Sequence, residues 1–444
     1  MKIGFAKIDI TPRIGVELSG FGPYNLRRSI GVRDRLWARA MAVELDGQRL
    51  ILASCDLIGV QESITRRVRE LVRERRGVAP ECLMLACTHT HSGPNTGGYI
   101  GWGAPDEPYL ELLPQRLAAA CLAALDNVQE AEISRATVPC EGIGLNRQYD
   151  VDGPPLADVL REEWRPAKPE LTDTTCQVLR VTAKGKLLGF VSYFGCHPVV
   201  CCAETRYIHG DYCGVATNLI EHEHPGSVGL FLQGANGDVN SCVVHQPETE
   251  SLLALDVIAG RFARSIRQGL REAAPLSVES LSALSRPQPF SRKPFGLQKL
   301  KGLLAEQEAL LHAPDALDSA HPVRMAMVYT LALRRIITAM ERGESMSPPL
   351  ELQGFRIGPL LLLASPFETF QAIKNDVRSR LGDPSALVMS VTNDTQGYAP
   401  DHTTAAKGGY AADMVPMIMG TLPYAAIHDE LVEGLTSLGK ALAR

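Results

Sequence analysis

No apolar run in this 444-residue chain comes near the roughly 20 residues that a helix needs to cross a bilayer. The runs that exist, such as residues 359–364, are strand-sized. The segment 1–7 has no apolar h-region and no small-residue cleavage site, so no secretory leader is expected. A CxxC pair is missing too, which argues against a zinc ribbon or a thioredoxin-like site. The eleven cysteines are an odd number. Most sit inside apolar segments, among them Cys55, Cys82, Cys87, Cys121 and Cys176, as free thiols in a reducing cytoplasm would. An excess of positive charge is also lacking. Lys and Arg number 45 against 50 Asp and Glu, a net charge of -5, and the two signs are interspersed. That balance excludes a basic stripe for nucleic acid and a polybasic helix for an anionic membrane. A small-molecule substrate is the expected partner, and the sequence leaves open whether copies of the chain associate.

Hydrophobic residues make up 45% of the chain and charged residues 21%, an ordinary globular balance. Runs rich in Val, Ile and Leu beside turn residues predict strands over 4–10, 38–45, 50–55, 82–87, 133–138, 177–181, 187–194, 228–232, 353–357, 360–364 and 387–391. Helices are expected over 64–76, 108–125, 212–223, 252–270 and 370–381. βαβ-like steps mix with consecutive strand pairs. The expected fold is therefore α/β, with mixed β-sheets flanked by helices in a single large domain. Residues 297–344 are nearly all helix formers with a break near 313–318. They predict a helical hairpin packed on the main body, at the site mouth or at a contact between copies.

Three apolar strands are each expected to end in a metal-ligand type of residue. The strand at 82–87 runs into Thr88-His89-Thr90-His91-Ser92-Gly93-Pro94. On extended backbone residues i and i+2 share a face, so His89 and His91 are expected side by side. The strand before Gly195-Cys196-His197-Pro198 delivers His197, and Ser365-Pro366-Phe367-Glu368 delivers a carboxylate. Each has a bland reading alone: solvated strand-end histidines, a turn histidine, a first-turn glutamate favouring a helix dipole. Together, two histidines and a carboxylate with an open position form a catalytic zinc set. The glycine-rich stretch Gly234-Ala235-Asn236-Gly237-Asp238 has no following Gly-Lys-Ser/Thr, so it is no Walker loop. Its free N–H groups are expected to hold an oxyanion. Tyr398 and Tyr410 bound a further polar loop, and the pocket walls are expected from loops such as 99–103 and 154–169.

The order of these segments resembles the neutral, non-lysosomal ceramidase family, specifically its N-terminal catalytic domain. The resemblance is carried by Asp9-Ile10-Thr11-Pro12, Gly20-Phe21-Gly22, Arg33-Asp34-Arg35-Leu36-Trp37-Ala38-Arg39-Ala40, the Thr-His-Thr-His-Ser-Gly-Pro segment, Asn146-Arg147, His197-Pro198, Gly210-Asp211-Tyr212, Gly237-Asp238-Val239-Asn240, Glu368 and the 398–410 loop. It covers roughly residues 1–420. It implies Zn²⁺ held by His89, His197, Glu368 and Tyr398, with His91, Arg147 and Tyr410 at the scissile group. Asn240 stands where the family has a serine, and it cannot be a nucleophile. The family's C-terminal β-sandwich is not expected here. The implied activity is zinc-dependent hydrolysis of an amide-type bond by metal-activated water, on a small or medium soluble substrate. Asp211 and Asp238 are expected to orient the ligand imidazoles. The alternatives are an esterase or lyase acting on a polar, sugar-like substrate, and a non-catalytic binding protein of the same fold.

Overall fold

The structure, a computed structural model, describes residues 1–443. Three sheets repeat one plan. In the first, β1 (Lys2–Asp9), β2 (Trp37–Leu45) and β3 (Gln48–Cys55) run antiparallel; helix α1 (Glu62–Arg76) then crosses over to β4 (Leu83–Cys87), parallel to β3. In the second, β5 (Glu132–Pro139), β6 (Thr175–Ala183) and β7 (Lys186–Phe194) are antiparallel, and α3 (Asp211–Glu223) leads to β8 (Val228–Gln233), parallel to β7. In the third, β9 (Leu281–Gln288), β10 (Leu350–Ile357) and β11 (Leu360–Ala364) are antiparallel, and α7 (Gln371–Leu381) leads to β12 (Leu387–Met389), parallel to β11. The sequence shows no matching repeat; the recurrence is architectural.

Period-2 alternation decides how the sheets meet. Ile3, Phe5, Met41 and Val43 point inward from the first sheet, Leu179, Val181, Val191 and Tyr193 from the second, Phe355, Ile357, Leu360 and Leu362 from the third, all in one buried cluster. The opposite faces pack against helices. The first sheet is covered by α1 and α2 (Glu107–Asp126), the second by α3 and α4 (Glu248–Glu272), the third by α7 and α9 (Ile427–Leu442). A sheet buried on both faces suits the near-continuous apolar runs of β4, β8 and β11.

The hairpin forms as expected, from α5 (Leu297–Leu311) and α6 (His321–Glu341). Met325 and Val328 of α6 pack in one cluster with Tyr398, Ala411 and Val415, so the hairpin buttresses the tyrosine-bearing loop. That loop contains a short helix, α8 (His402–Lys407). Two longer elements lie outside the expected set. Strand β9, Leu-Ser-Ala-Leu-Ser-Arg-Pro-Gln, is a mostly half-exposed edge strand whose Pro287 is tolerated at an edge, so its composition reads as loop. Helix α9 has an apolar stripe (Leu431, Leu435, Leu438, Leu442) that closes the third sheet's outer face.

A buried ion network joins the first sheet to the helix of the second. Arg39 on β2 reaches the Asp56 carboxylate at 2.9 Å and the Glu221 carboxylate of α3 at 3.1 Å. All three side chains are no more than 5% exposed. Lys7 also contacts Glu221, whereas Asp56 has no other cation among the described residues. Arg39→Met is therefore expected to strand the Asp56 charge and to destabilise the fold by about 3 kcal/mol. Urea denaturation reads this directly, and an unchanged midpoint would remove the network from the list of what holds the two sheets together.

Candidate metal centre

The loops leaving the parallel strand pairs gather at one edge, the position at which open α/β sheets place their ligands. β4 leads to His89 and His91, β7 to His197, β8 to Asn236, Asp238 and Asn240, β11 to Glu368, and β12 to the segment carrying Tyr398. A two-residue parallel bridge, Glu368–Thr369 with Tyr398–Ala399, sets the carboxylate beside that tyrosine.

A pocket of about 410 Å³ opens here. His91, Arg147, His197, Asn240, Tyr398 and Tyr410 line it, and His89 and Glu368 lie buried against His91 and His197. All eight residues singled out from the sequence thus come together. His197 Nε2 is 2.8 Å from Glu368 Oε2, and His89 Nε2 is 3.3 Å from the same oxygen. His91 Nε2 stands 3.3 Å from His89 Nε2. Donor nitrogens of His89, His91 and His197 lie within 4.8 Å of one another, so distance groups His91 with the two other imidazoles.

The outer nitrogens explain the inner ones. His89 Nδ1 is 2.6 Å from the Ile58 carbonyl, and His197 Nδ1 is 2.6 Å from the Asn236 carbonyl. A carbonyl only accepts, so each Nδ1 carries a proton, and in the neutral tautomer of such a ring the lone pair lies at Nε2. Burial pushes the His197 imidazole down to about 4, although its contact with Glu368 pulls the other way. Burial, reinforced by His89 and His197, also holds His91 well below the ordinary range. Burial opposes ionisation of Glu368, yet the two imidazoles outweigh it and keep its carboxyl well below the usual range. Two imidazole Nε2 atoms thus converge on one carboxylate oxygen. Imidazole with carboxylate is a zinc-type donor set.

Asp211 and Asp238 do not orient the imidazoles as expected; backbone carbonyls do. Asp211 accepts N–H groups from Val200, Cys201 and Tyr212, shaping the turn after His197. Asp238 accepts from the Asn146 amide and from the Gln371 N–H, joining the Arg147 strand to the start of α7. Burial raises both carboxyls to about 6, against these donors.

In the expected oxyanion loop the two glycine N–H groups are already engaged. The N–H of Gly234 donates to Phe194 and that of Gly237 to Thr369, each at 2.9 Å. Their role is close approach: a Cβ on Gly237 would sit 2.4 Å from the Glu368 carbonyl oxygen. The two histidines of the HxH do not share the face of a strand either. Strand β4 stops at Cys87, and His89 takes a left-handed φ of 70°. The chain turns at His89, and the rings meet edge to face instead, with centroids 5.0 Å apart.

Arg147 lies over Tyr398, with its guanidinium carbon 4.7 Å from the ring centre and 6.0 Å from that of Tyr410. Its Nη2 is buried without a partner. Burial keeps the Tyr398 phenol well above its usual range, with Arg147 opposing.

The walls come from Phe21, Gly22, Val199, Cys202, Ala203, Val244 and His245, and not from 99–103 or 154–169. Of these the sequence had pointed only to Phe21 and Gly22. Arg27 anchors the first wall. Fully buried, it donates to the carbonyls of Ser19, His91 and Thr205 and stacks 4.8 Å from the Phe21 ring, which in turn meets the His91 ring. Gly20 has a φ of 101°, and a Cβ there would fall 2.4 Å from His91 Nδ1.

Comparison with known proteins agrees with this fold. The family model for the N-terminal domain of neutral/alkaline non-lysosomal ceramidase matches residues 1–246. Neutral ceramidase of Pseudomonas aeruginosa is 25% identical over 248 residues, 54% of this chain and 37% of that protein. The match thus spans little more than a third of that relative's length. The crystal structure of neutral ceramidase from Pseudomonas aeruginosa superposes with a TM-score of 0.73 at 20% identity, covering 99% of this chain and 75% of that one. A ceramidase complexed with C2 gives 0.76 at 19% identity, covering 100% and 75%. With a family match over more than half its length, the chain belongs to the neutral/alkaline non-lysosomal ceramidase family.

Proposed function

We propose that this chain hydrolyses an amide-type C–N bond in a small or medium soluble N-acyl substrate, using a zinc-class cation. His89, His197, Glu368 and Tyr398 would hold that cation. The observation that carries the reading is the convergence of the His89 and His197 Nε2 atoms on the buried Glu368 oxygen at the base of the pocket. The family name supports the amide bond. A cavity of about 410 Å³ falls in the range of small-ligand sites and supports a compact substrate. Eleven buried or half-buried free thiols support a reducing, cytoplasmic setting.

When bound, such a cation supplies Lewis acidity, lowering the pKa of water and polarising a carbonyl. The protein's own groups do the rest. The neutral His91 imidazole takes a proton from the attacking water and returns it to the departing amine nitrogen. The unpartnered Arg147 Nη2 and the Asn240 carboxamide donate to the carbonyl oxygen as it gains charge. Tyr398 and Tyr410 keep Arg147 directed inward and narrow the mouth. With Asn240 in the serine position, water attacks directly and no acyl-enzyme forms.

Two experiments test this. The purified protein is expected to carry a stoichiometric zinc-class metal and to hydrolyse N-acyl compounds, with turnover lost on chelation and in His89→Ala. Retained metal and activity in that variant would refute the ligand set. Across graded acyl chains, a rise in turnover with length would retire the soluble-substrate reading in favour of a lipid. Separately, Asn240→Ala is expected to lower kcat about a hundredfold with metal content unchanged, the size of losing one oxyanion donor. A change confined to KM would demote Asn240 to substrate binding.

A further inference from the structure

Among the described residues, two groups of metal-ligating side chains lie outside the pocket, and their surroundings separate them. Cys201, His209 and Asp211 bring donor atoms within 4.8 Å of one another, fully buried. Their surroundings oppose a cation. The charges of Arg27 and Arg33 both act on His209. His209 Nδ1 accepts the Asp211 N–H at 3.1 Å, so its proton sits on Nε2, and that nitrogen has no lone pair to offer. The Asp211 carboxylate is already engaged by three backbone N–H groups. This cluster is a hydrogen-bonded turn beside two cations.

The second group has the opposite character. His402 on α8 and His428 and Asp429 in the first turn of α9 bring donors within 4.8 Å. His428 Nε2 lies 2.9 Å from an Asp376 carboxylate oxygen on α7. That acceptor fixes the proton on Nε2 and leaves a lone pair on Nδ1. Nδ1 is buried without a partner, on a residue only 5% exposed. His402 Nε2 is 3.2 Å from Asp429 Oδ1, and the two imidazoles stack with centroids 4.0 Å apart. Neither Asp376 nor Asp429 pairs with a lysine or arginine among the described residues. Two carboxylates without a lysine or arginine partner thus flank two imidazoles.

We propose that His428 Nδ1, His402 and Asp429 form a second, peripheral site for a zinc-class divalent cation, with Asp376 orienting His428 through its other ring nitrogen. The side chains of His402 and Asp429 are each 63% exposed, so a cation reaches the site from solvent and the His402 ring is free to turn its nitrogen toward it. The consequence is mechanical. Helix α8 lies between Tyr398 and Tyr410 and is bounded by Gly397, Gly408 and Gly409, whose φ values are 69°, 75° and 94°. A cation bridging α8 to α9 fastens that hinged segment to the body of the protein. The site stands apart from the central donors and does not depend on the proposed activity.

The test is a titration of the metal-loaded protein with Zn²⁺, repeated with Co²⁺ as an absorbing probe, counting equivalents per chain. One equivalent beyond the central metal is expected. His402→Ala and Asp429→Asn, both at exposed positions, should each weaken that equivalent at least about tenfold and keep the central one. Deuterium uptake over residues 398–410 should fall when the added cation binds to the wild type and stay unchanged in His402→Ala. Failure to bind an added equivalent, or binding that both variants leave unaltered, would overturn the proposal and reduce the cluster to two His–Asp pairs. His89→Ala separates the two sites: it should lose the central equivalent and retain the peripheral one.

Discussion

A carboxylate that is 4% exposed must face positive charge or donated protons, and Glu368 faces two rings whose proton-bearing nitrogens point away from it. Everything at the pocket base follows from that arrangement. Because Ile58 and Asn236 hold the outer nitrogens with backbone carbonyls, both inner nitrogens are turned toward Glu368. An unpaired buried charge costs several kcal/mol, and the imidazoles offset that cost by holding the carboxyl well below its usual range.

The common core gives that arrangement its rigidity. Three sheets press their inner faces together, and each releases its loops at the same edge. The imidazoles and the carboxylate are thus mounted on separate sheets but referenced to one packed interior, which compresses little. Glycines at 20 and 237 let backbone approach where any side chain would collide with the His91 ring or the Glu368 carbonyl. The site is close-packed on its inner side and open only toward the pocket.

Much of this was legible in the sequence. Apolar runs ending in His89, His197 and Glu368 announced strands that deliver donors, and the structure has strands at each place. The order of motifs named the family. What stayed hidden has physical reasons. The groups that orient the imidazoles are backbone carbonyls, which every residue possesses, so no residue type marks them. Asp211 and Asp238 looked suited to that task by chemistry, yet Asp211 is committed to N–H groups of the turn beside it and Asp238 to the Asn146 amide and the start of α7. The left-handed turn at His89 cannot be read from His-x-His, because extended and turned backbones share the same letters. The edge strand β9 is mostly polar or half-exposed, and the threefold recurrence of sheet and crossover left no trace in residue identity.

Mounting one site on three sheets has a kinetic meaning. His197 and Glu368 are 171 residues apart in the chain, so their meeting requires closure of a long loop, with its entropic cost and slow search. Until the third sheet docks, the first two present imidazoles without their carboxylate and leave an apolar face uncovered. The complete donor set therefore comes into being only with the last docking event. A cation of the kind proposed would therefore bind only the finished chain, and its binding free energy would be added to the whole assembly, not to any single sheet.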